Sequence, residues 1–496
     1  MIELKEVDTS QEVIVSRKEY ERLRSDHEHL KFELEQLKRM IFGAKSERFV
    51  PSDPGQVTLF GVEAAATAPT ETISYTRSKA QEKEPPVRLV IAAHLPRIEE
   101  VIEPTDLPDG ARKIGAEITE VIEYKPGTAW VRRIVRPKYA VNGSGLPGGS
   151  QVRIAPAPWL PFPKSNLSAS LAAYICVSKF CDHLPLHRQR QMLARSGLEV
   201  SDSTIGGWFK SAATLLSPLH GKLQEEVLAQ DYLQVDESPI PVQDNHQENA
   251  IRTGYHWVYH APLIKAVLFD YRPGRSAVFP TGMLGHFAGA LQTDGYGGYE
   301  KLAARQGITA LACMAHARRK FEAALTNDKV RAQHALLKIG DLYRIERHCE
   351  EQGMDHAERH RYRALHAAPL LDEFGKWIKE EINIVAPKSP IGTAIAYTLS
   401  LWQRLCNYTL DGRYLIDNNR VENTIRPMAI GRKNYLFAGS DRGARHAALM
   451  YSLLGTCKLH GVEPFAYLHD VIARISEHKA NKLHELLPQN WQPLAK

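Results

Sequence analysis

The 496-residue sequence has no apolar run approaching the roughly 20 residues that a membrane helix needs, so no membrane partner is expected. Its six cysteines, Cys176, Cys181, Cys313, Cys349, Cys406 and Cys457, form no CxxC pair. Neither a disulfide framework nor a zinc ribbon is indicated, and a reducing cytoplasm is the expected compartment. No GxxxxGK(S/T) loop occurs, so no ATP-driven step is implied. The opening stretch MIELKEVDTSQE is acidic and polar, unlike a secretory signal.

What remains is a globular composition, 43% hydrophobic and 24% charged, on a chain long enough for several domains. The net charge is +6, and Arg and Lys crowd 186–210, 316–320 and 413–445. Clustered base fits a polyanion, DNA above all, and fits a solvated face equally well.

Seven segments are expected. In 1–48, Val13, Ser16, Tyr20, Leu23, His27, Leu30, Leu34, Leu37 and Ile41 step by three and four. This is a coiled-coil seam, for a homodimer or larger assembly or for packing on the same chain. Residues 49–88, rich in Pro, Ala, Thr, Ser and Glu, read as a flexible linker. Residues 89–163 hold short strand-like pieces such as Ala129–Val135. Residues 164–225 are helical: a helix from Leu186 to Ser196, a turn at Gly197, a Ser201-Asp202-Ser203 cap and a short helix Thr204–Lys210. This is a helix-turn-helix pattern or a plain helical hairpin. In the first case Arg188, Arg190 and Arg195 meet phosphates, while the second helix, from Thr204 to Lys210, lies in the major groove. Residues 226–325 are α/β, 326–411 form a helical insertion, and 412–496 complete the core with more helices.

Two predicted strands end alike, Leu233-Gln-Val-Asp236 and Leu291-Gln-Thr-Asp294. Alternation puts Gln and Asp on one face of each. Three antiparallel strands followed by two parallel ones is the order of a ribonuclease-H-like fold, in which the first and fourth strands are neighbours. Asp236 and Asp294 then sit side by side where the strands give way to turns. Adjacent carboxylates repel unless protonated or bridged by cations, and oxygen ligands favour Mg²⁺ or Mn²⁺. Each aspartate is alternatively an ordinary turn or cap residue. A third carboxylate is expected from the helix after Asp417-Asn418-Asn419, which Asn418 or Asn419 can cap. Val421 and Ile425 face the core, leaving Glu422 elsewhere, paired with Arg426 at the least; Asp417 is the rival.

The chain resembles the insertion sequence 66 family of transposases. The matching stretches are Gly43-Ala-Lys-Ser-Glu-Arg48, Val235-Asp-Glu-Ser-Pro239, Thr293-Asp-Gly-Tyr-Gly-Gly298, Ala315-His-Ala-Arg-Arg-Lys-Phe321, Asp417-Asn-Asn-Arg-Val-Glu-Asn-Thr-Ile-Arg-Pro427, Gly431-Arg-Lys-Asn434 and Gly461-Val-Glu-Pro-Phe-Ala-Tyr467. The resemblance implies a ribonuclease-H-like core whose Asp-Asp-Glu triad falls on Asp236, Asp294 and Glu422, an N-terminal coiled coil and a DNA-binding middle. It further implies a bacterial, nucleoid-associated protein that cuts and joins DNA at an element's ends, and possible accessory proteins of the same element. A cysteine-rich zinc motif common in the family is missing from 104–146, so no zinc is expected there. Cys313-Met-Ala-His316 is a CxxH pair without a second pair; His316 is a near-site candidate or a helix-start residue. Arg318, Arg319, Lys320, Arg426, Arg432 and Lys433 read as phosphate contacts.

The mechanism expected is two Mg²⁺ or Mn²⁺ ions ~3.5–4 Å apart, bridged by Asp236, with Asp294 and Glu422 each holding one. Three readings compete. Arg442, His446 and Tyr451 superficially offer a covalent tyrosine recombinase. A catalytically silent DNA-binding regulator would lack a triad member. A structure-specific nuclease would cut without joining.

Overall fold

The computed structural model describes residues 127, 130–142, 150–154, 156, 158–163, 165–244 and 250–493. The coiled-coil seam and the 49–88 linker fall outside these residues. Strands β1 (Lys138–Asn142) and β2 (Ser150–Ile154) pair antiparallel, Lys138 opposite Ile154. No strand forms at the described part of Ala129–Val135. Residues 130–137 join no ladder, and Trp130 and Val131 are 78% and 91% exposed. Strand propensity acts only through a partner and a face to bury, and among the described residues neither is present.

Helices α1 (Ala169–Phe180) and α2 (Leu186–Arg195) lead to a turn at Gly197, whose φ of +83° suits glycine. The Ser201 hydroxyl accepts the Thr204 N–H at 3.1 Å and caps α3 (Asp202–Leu228). The short helix expected at Thr204–Lys210 is instead 27 residues long. The apolar spacing simply continues, and Ile205, Phe209, Ala212, Leu216, Leu219, Leu223 and Val227 are buried along its length. Pro218 interrupts the ladder without orphaning a carbonyl: the freed Thr214 oxygen accepts the Ser217 hydroxyl at 2.9 Å.

A five-stranded mixed sheet follows: β3 (Tyr232–Gln243), β4 (Ile251–Ala261), β5 (Ala266–Arg272), β6 (Gly289–Gln292) and β7 (Ile308–Leu311), in the order β5-β4-β3-β6-β7. β3, β4 and β5 are antiparallel; β6 and β7 run parallel to β3. The first and fourth strands of this sheet are therefore neighbours, as the sequence predicts. β3 does not stop at Asp236, however. It pairs with β4 as far as Gln243 opposite Ile251, through Pro239 and Pro241. Those prolines are tolerated because β6 has already ended. The Pro241 carbonyl and Gln243 N–H face away from β4, where both bond Ala438, so the odd-numbered positions of the two prolines cost no β3–β4 bond.

Short helices α4 (Val278–Met283) and α5 (Glu300–Ala303) flank β6. The helical segment comprises α6 (Met314–Ala324), α7 (Lys329–Glu351), α8 (His356–Glu381), α9 (Pro390–Ser400) and α10 (Trp402–Cys406). Then come α11 (Asn419–Tyr435), α12 (Asp441–His460) and α13 (Pro464–Arg474). α12 covers the outer strand: the Val267 and Phe269 N–H groups of β5 donate to Thr456 Oγ1 (3.2 Å) and Ser452 Oγ (2.8 Å). None of the helices among the described residues is long and apolar enough to cross a membrane.

The helical segment is tied to the loop before α11 by one fully buried side chain. Arg363 donates to both Glu346 oxygens (2.8 and 2.6 Å) and to the carbonyls of Tyr408, Asp411 and Tyr414 (2.9 Å each). A buried guanidinium survives only with such complete pairing. Arg363→Met, which leaves Glu346 and three carbonyls unpaired, is expected to lower unfolding free energy by about 3–5 kcal/mol in a urea titration. A loss below about 1 kcal/mol would show that the segment is anchored elsewhere.

Candidate functional site

The site grows out of strand register. β3 and β6 pair in parallel as Tyr232 with Ala290, Leu233 with Leu291 and Gln234 with Gln292. Asp236 and Asp294 each lie two residues beyond the last pair, at the carboxyl edge of the parallel strands. Gly289 makes this register possible: its φ is +131°, and a Cβ there would fall 2.2 Å from the Asp231 carbonyl.

Below the aspartates the two glutamines bond to each other, Gln234 Nε2 to Gln292 Oε1 at 2.8 Å, and Tyr232 OH adds 2.7 Å to the same oxygen. They also hold the loop that enters α11. Gln292 Nε2 donates to the Leu415 carbonyl (2.8 Å), Gln234 Nε2 to the Asp417 carbonyl (2.9 Å), and the Leu415 N–H to Tyr232 Oη (3.0 Å). His260 Nδ1 lies 3.0 Å from Gln234 Oε1. Burial pushes this imidazole down to about 3, so it is neutral and Nδ1 carries the donated proton.

The loop delivers Glu422 in the first turn of α11. Asn418 takes the N-cap position as expected but makes no side-chain cap bond; the Asp417 carboxylate before it accepts the Asn419 N–H (3.0 Å) and amide (2.7 Å) and the Tyr343 hydroxyl (2.7 Å). Asn418 turns inward instead, its Nδ2 donating to the Val235 carbonyl at 3.3 Å. The Asp417 oxygens are thus engaged by Asn419 and Tyr343. Val421 and Ile425 are buried as expected. The Glu422 ion pair is not with Arg426, which is exposed, but with Arg319 of α6, whose Nη2 lies 2.9 and 2.6 Å from the two carboxylate oxygens. His316 Nδ1 is 3.7 Å from Glu422.

The electrostatics join these groups. Burial, then the charges of Asp294, Glu237 and Glu422, raise the Asp236 carboxyl from 3.8 to about 8, opposed by a 2.8 Å bond from the Glu237 N–H. Burial and Arg319 lower the His316 imidazole, while Glu422 and Asp294 oppose this. Asp236, Asp294, Glu422 and His316 thus share one field. Cys313, His316 and Glu422 also place ligand-type atoms within 4.8 Å of one another. Burial holds the Cys313 thiol near 12, which disfavours a thiolate ligand. His316 Nδ1 is buried without a hydrogen-bond partner. A desolvated Asp236 carboxyl beside other carboxylates suits a hard divalent cation.

Sequence reasoning missed the group beside Asp236. The Glu237 side chain, 2% exposed, accepts Arg275 Nη2 (2.5 Å) and Nε (2.8 Å) and the Tyr299 hydroxyl (2.5 Å). Arg275 lies 3.8 Å from the Tyr296 ring centroid. Tyr397 OH donates to the Asp294 carbonyl at 2.7 Å. Arg275 sits in an irregular turn, so no periodicity could have flagged it; Tyr296 and Tyr299 stand in the Gly-Tyr-Gly-Gly-Tyr run, and Tyr397 on α9.

The predicted phosphate contacts divide. Arg318 pairs with Glu322 (2.8 Å), and Lys320 Nζ lies 5.4 Å from the Tyr397 ring centroid. Arg432 bonds the Pro239 carbonyl, and Arg426 and Lys433 are exposed. Arg188 reaches Asn434 of α11 at 3.4 Å, and Arg190 faces Asp202 at 3.3 Å. Arg195 and Lys210 are exposed, while the Thr204 hydroxyl lies in the Ser201 cap. Tyr451 is unsuited to be a nucleophile. It is buried, bonded to Tyr435 OH, with its ring 5.0 Å from Phe180 and 5.5 Å from Phe269.

The raised Asp236 carboxyl has a stability consequence. Its folded value lies above its unfolded one, so the folded chain keeps a proton that the unfolded chain releases. The resulting cost is absent below 3.8 and complete above about 8. Without divalent cations, melting temperature should therefore decline from pH 5 to 9, and Asp236→Asn should flatten that decline. An equally steep decline in the variant would place the titrating group elsewhere.

Family comparison matches residues 164–446 to the Transposase IS66 family, 452–489 to the IS66 C-terminal element and 29–99 to the Transposase C of IS166 homeodomain. The uncharacterized protein y4jD of Sinorhizobium fredii is 31% identical over 93% of this chain and 94% of its own length. The uncharacterized protein y4qI of the same organism is 33% identical over 93% of this chain and 88% of its own. The first match alone spans more than half of the chain, including Asp236, Asp294 and Glu422, and the chain belongs to the IS66 family of transposases.

Proposed function

We propose that this transposase binds the ends of its element and performs metal-dependent DNA cleavage and strand transfer on a ribonuclease-H-like core, with Asp236, Asp294 and Glu422 as the carboxylate triad. The observation that carries the reading is the equal two-residue offset of Asp236 and Asp294 past the Gln234–Gln292 pair, with Glu422 within their field. The strand order, three antiparallel strands with two parallel ones added beside the first, supports the core assignment. The three carboxylates are the residues that would hold divalent cations, and the repulsion at Asp236 is what such cations relieve. The chemistry that a pair of Mg²⁺ or Mn²⁺ ions supplies when bound is activation of an oxygen nucleophile and stabilisation of the leaving oxygen.

The chain's own residues orient the reactants. Arg319 fixes Glu422 and offsets its charge. The Asp417 carboxylate and the glutamine pair set the height of Glu422 against the aspartates. Arg426 and Lys433, exposed on the helix that carries Glu422, bind phosphates near the site. Helices α2 and α3 serve as a helix-turn-helix-like unit, with Arg188, Arg190 and Arg195 against the backbone. Self-association through residues 13–41 would bring two ends together.

The test is a cleavage and strand-transfer assay on element-end DNA. The intact chain is expected to give 3′-ends and joined products with Mg²⁺ or Mn²⁺, and none with chelator. Asp236→Ala, Asp294→Ala and Glu422→Ala should each lose on the order of 10³-fold or more in rate, about 4 kcal/mol of transition-state stabilisation, while still binding DNA. Variants that react like the intact chain would remove the triad assignment; cutting without joining would make the chain a nuclease. Separately, Arg426→Ala with Lys433→Ala should reduce the salt slope of DNA binding by about two units. An unchanged slope would mean that phosphates pass elsewhere.

A further inference from the structure

α11 ends in an unusual way. Leu436 has φ +60° and ψ −51°, a backbone region that leucine rarely adopts, and the Phe437 N–H closes onto the Tyr435 carbonyl at 2.6 Å. This is a γ-turn of the strained, positive-φ kind. It is clamped from both sides. On one side Tyr435 bonds buried Tyr451; on the other, Ala438 bonds the Pro241 carbonyl (2.9 Å) and the Gln243 N–H (2.8 Å) at the free edge of β3. The strain does not serve burial, because the turn presents Leu436 63% exposed and Phe437 39% exposed. Strain retained to display apolar side chains to solvent calls for a ligand.

The surroundings specify that ligand. Lys179 Nζ stands 4.5 Å from the Tyr435 ring centroid, Arg188 reaches Asn434, and Arg432 and Lys433 occupy the last turn of α11. The nearby Asp441 carboxylate is already taken by Arg252 and Tyr271. An apolar tip at the end of a helix whose last turn carries Arg432 and exposed Lys433 complements a duplex, with its phosphates outside and apolar base stack within. The helix supplies the path. Glu422, Arg426, Ile430 and Lys433 follow spacings of four, four and three, one helix face, and Ile430 is 43% exposed on it.

We propose that Leu436 and Phe437 form a wedge that enters the base stack of the bound element end and unstacks one step. The proposal rests on the carboxylate reading above for its distance. From Glu422 to the tip α11 rises about 20 Å, at ~1.5 Å per residue. At ~3.4 Å per base pair the unstacked step lies about six base pairs from the cut phosphate.

Permanganate footprinting of unstacked thymines tests this, using the full chain on a duplex of the element end plus flanking DNA, with Ca²⁺ replacing Mg²⁺. Thymines about six base pairs from the cut should become at least roughly threefold more reactive than in free DNA. Leu436→Gly with Phe437→Ser, and Phe437→Ser alone, should return them to the free-DNA level while DNA affinity falls less than about tenfold. Leu436→Gly should also melt no lower than the intact chain, since glycine relieves the positive φ. Asp236→Ala should keep the unstacking while losing cleavage, which separates this proposal from the triad. Unstacking retained in both tip variants, or absent from the intact complex, would overturn the wedge. So would a tip variant that changes only the sedimentation state, because the tip would then be a contact between copies.

Discussion

The parallel pairing of β3 with β6 is the constraint on which the rest of this structure hangs. Three residue pairs define it, ending at Gln234 and Gln292. A slip of one residue would turn both aspartates to opposite faces and break the glutamine contact. The register is fixed by Gly289, which permits the close approach to Asp231, and by the buried contact between the Gln234 and Gln292 amides. Because the same amides hold the carbonyls of Leu415 and Asp417, the sheet also fixes where α11 begins. Residues nearly two hundred positions apart are brought to one edge by a single polar layer.

That layer supports a cluster that is electrostatically unfavourable on its own. Asp236 is desolvated among other carboxylates, with one backbone amide in partial compensation. Its neighbour Glu237 shows the contrast: it is also buried, but Arg275 and Tyr299 neutralise and satisfy it. Two adjacent acids on one strand thus have opposite fates. Glu237 braces the loop after Asp294, whereas Asp236 is left in need of a counter-charge. A buried carboxyl without a counter-charge beside one that has its counter-charge marks a binding site more than a packing solution.

α11 acts as the spine between chemistry and surface. Its first turn carries Glu422, its buried side packs Val421, Ile425 and Met428, and its end is pinned to the free edge of β3. α12 then closes the outer strand with Ser452 and Thr456. The helical segment between β7 and α11 is secured through Arg363, so its length does not loosen the loop that delivers Glu422.

The sequence by itself determined the local periods. Alternation in Leu-Gln-Val-Asp and Leu-Gln-Thr-Asp, the five strands, the inward Val421 and Ile425 and the Ser201 cap were legible because they depend on neighbours a few residues away. Tertiary structure decided the rest. β3 passes through its prolines because β6 ends early. α3 runs on to Leu228 because there is core to cover, and Trp130–Val135 forms no strand because it has no partner among the described residues. Asp417 rather than Asn418 supplied the side-chain acceptor at the start of α11, and Arg319 rather than Arg426 became the partner of Glu422, because α6 faces that turn. Arg275 and the turn at Leu436 left no periodic trace in the sequence. Their roles arise from contacts between segments far apart in the chain, and only the packing of those segments chooses the contacts.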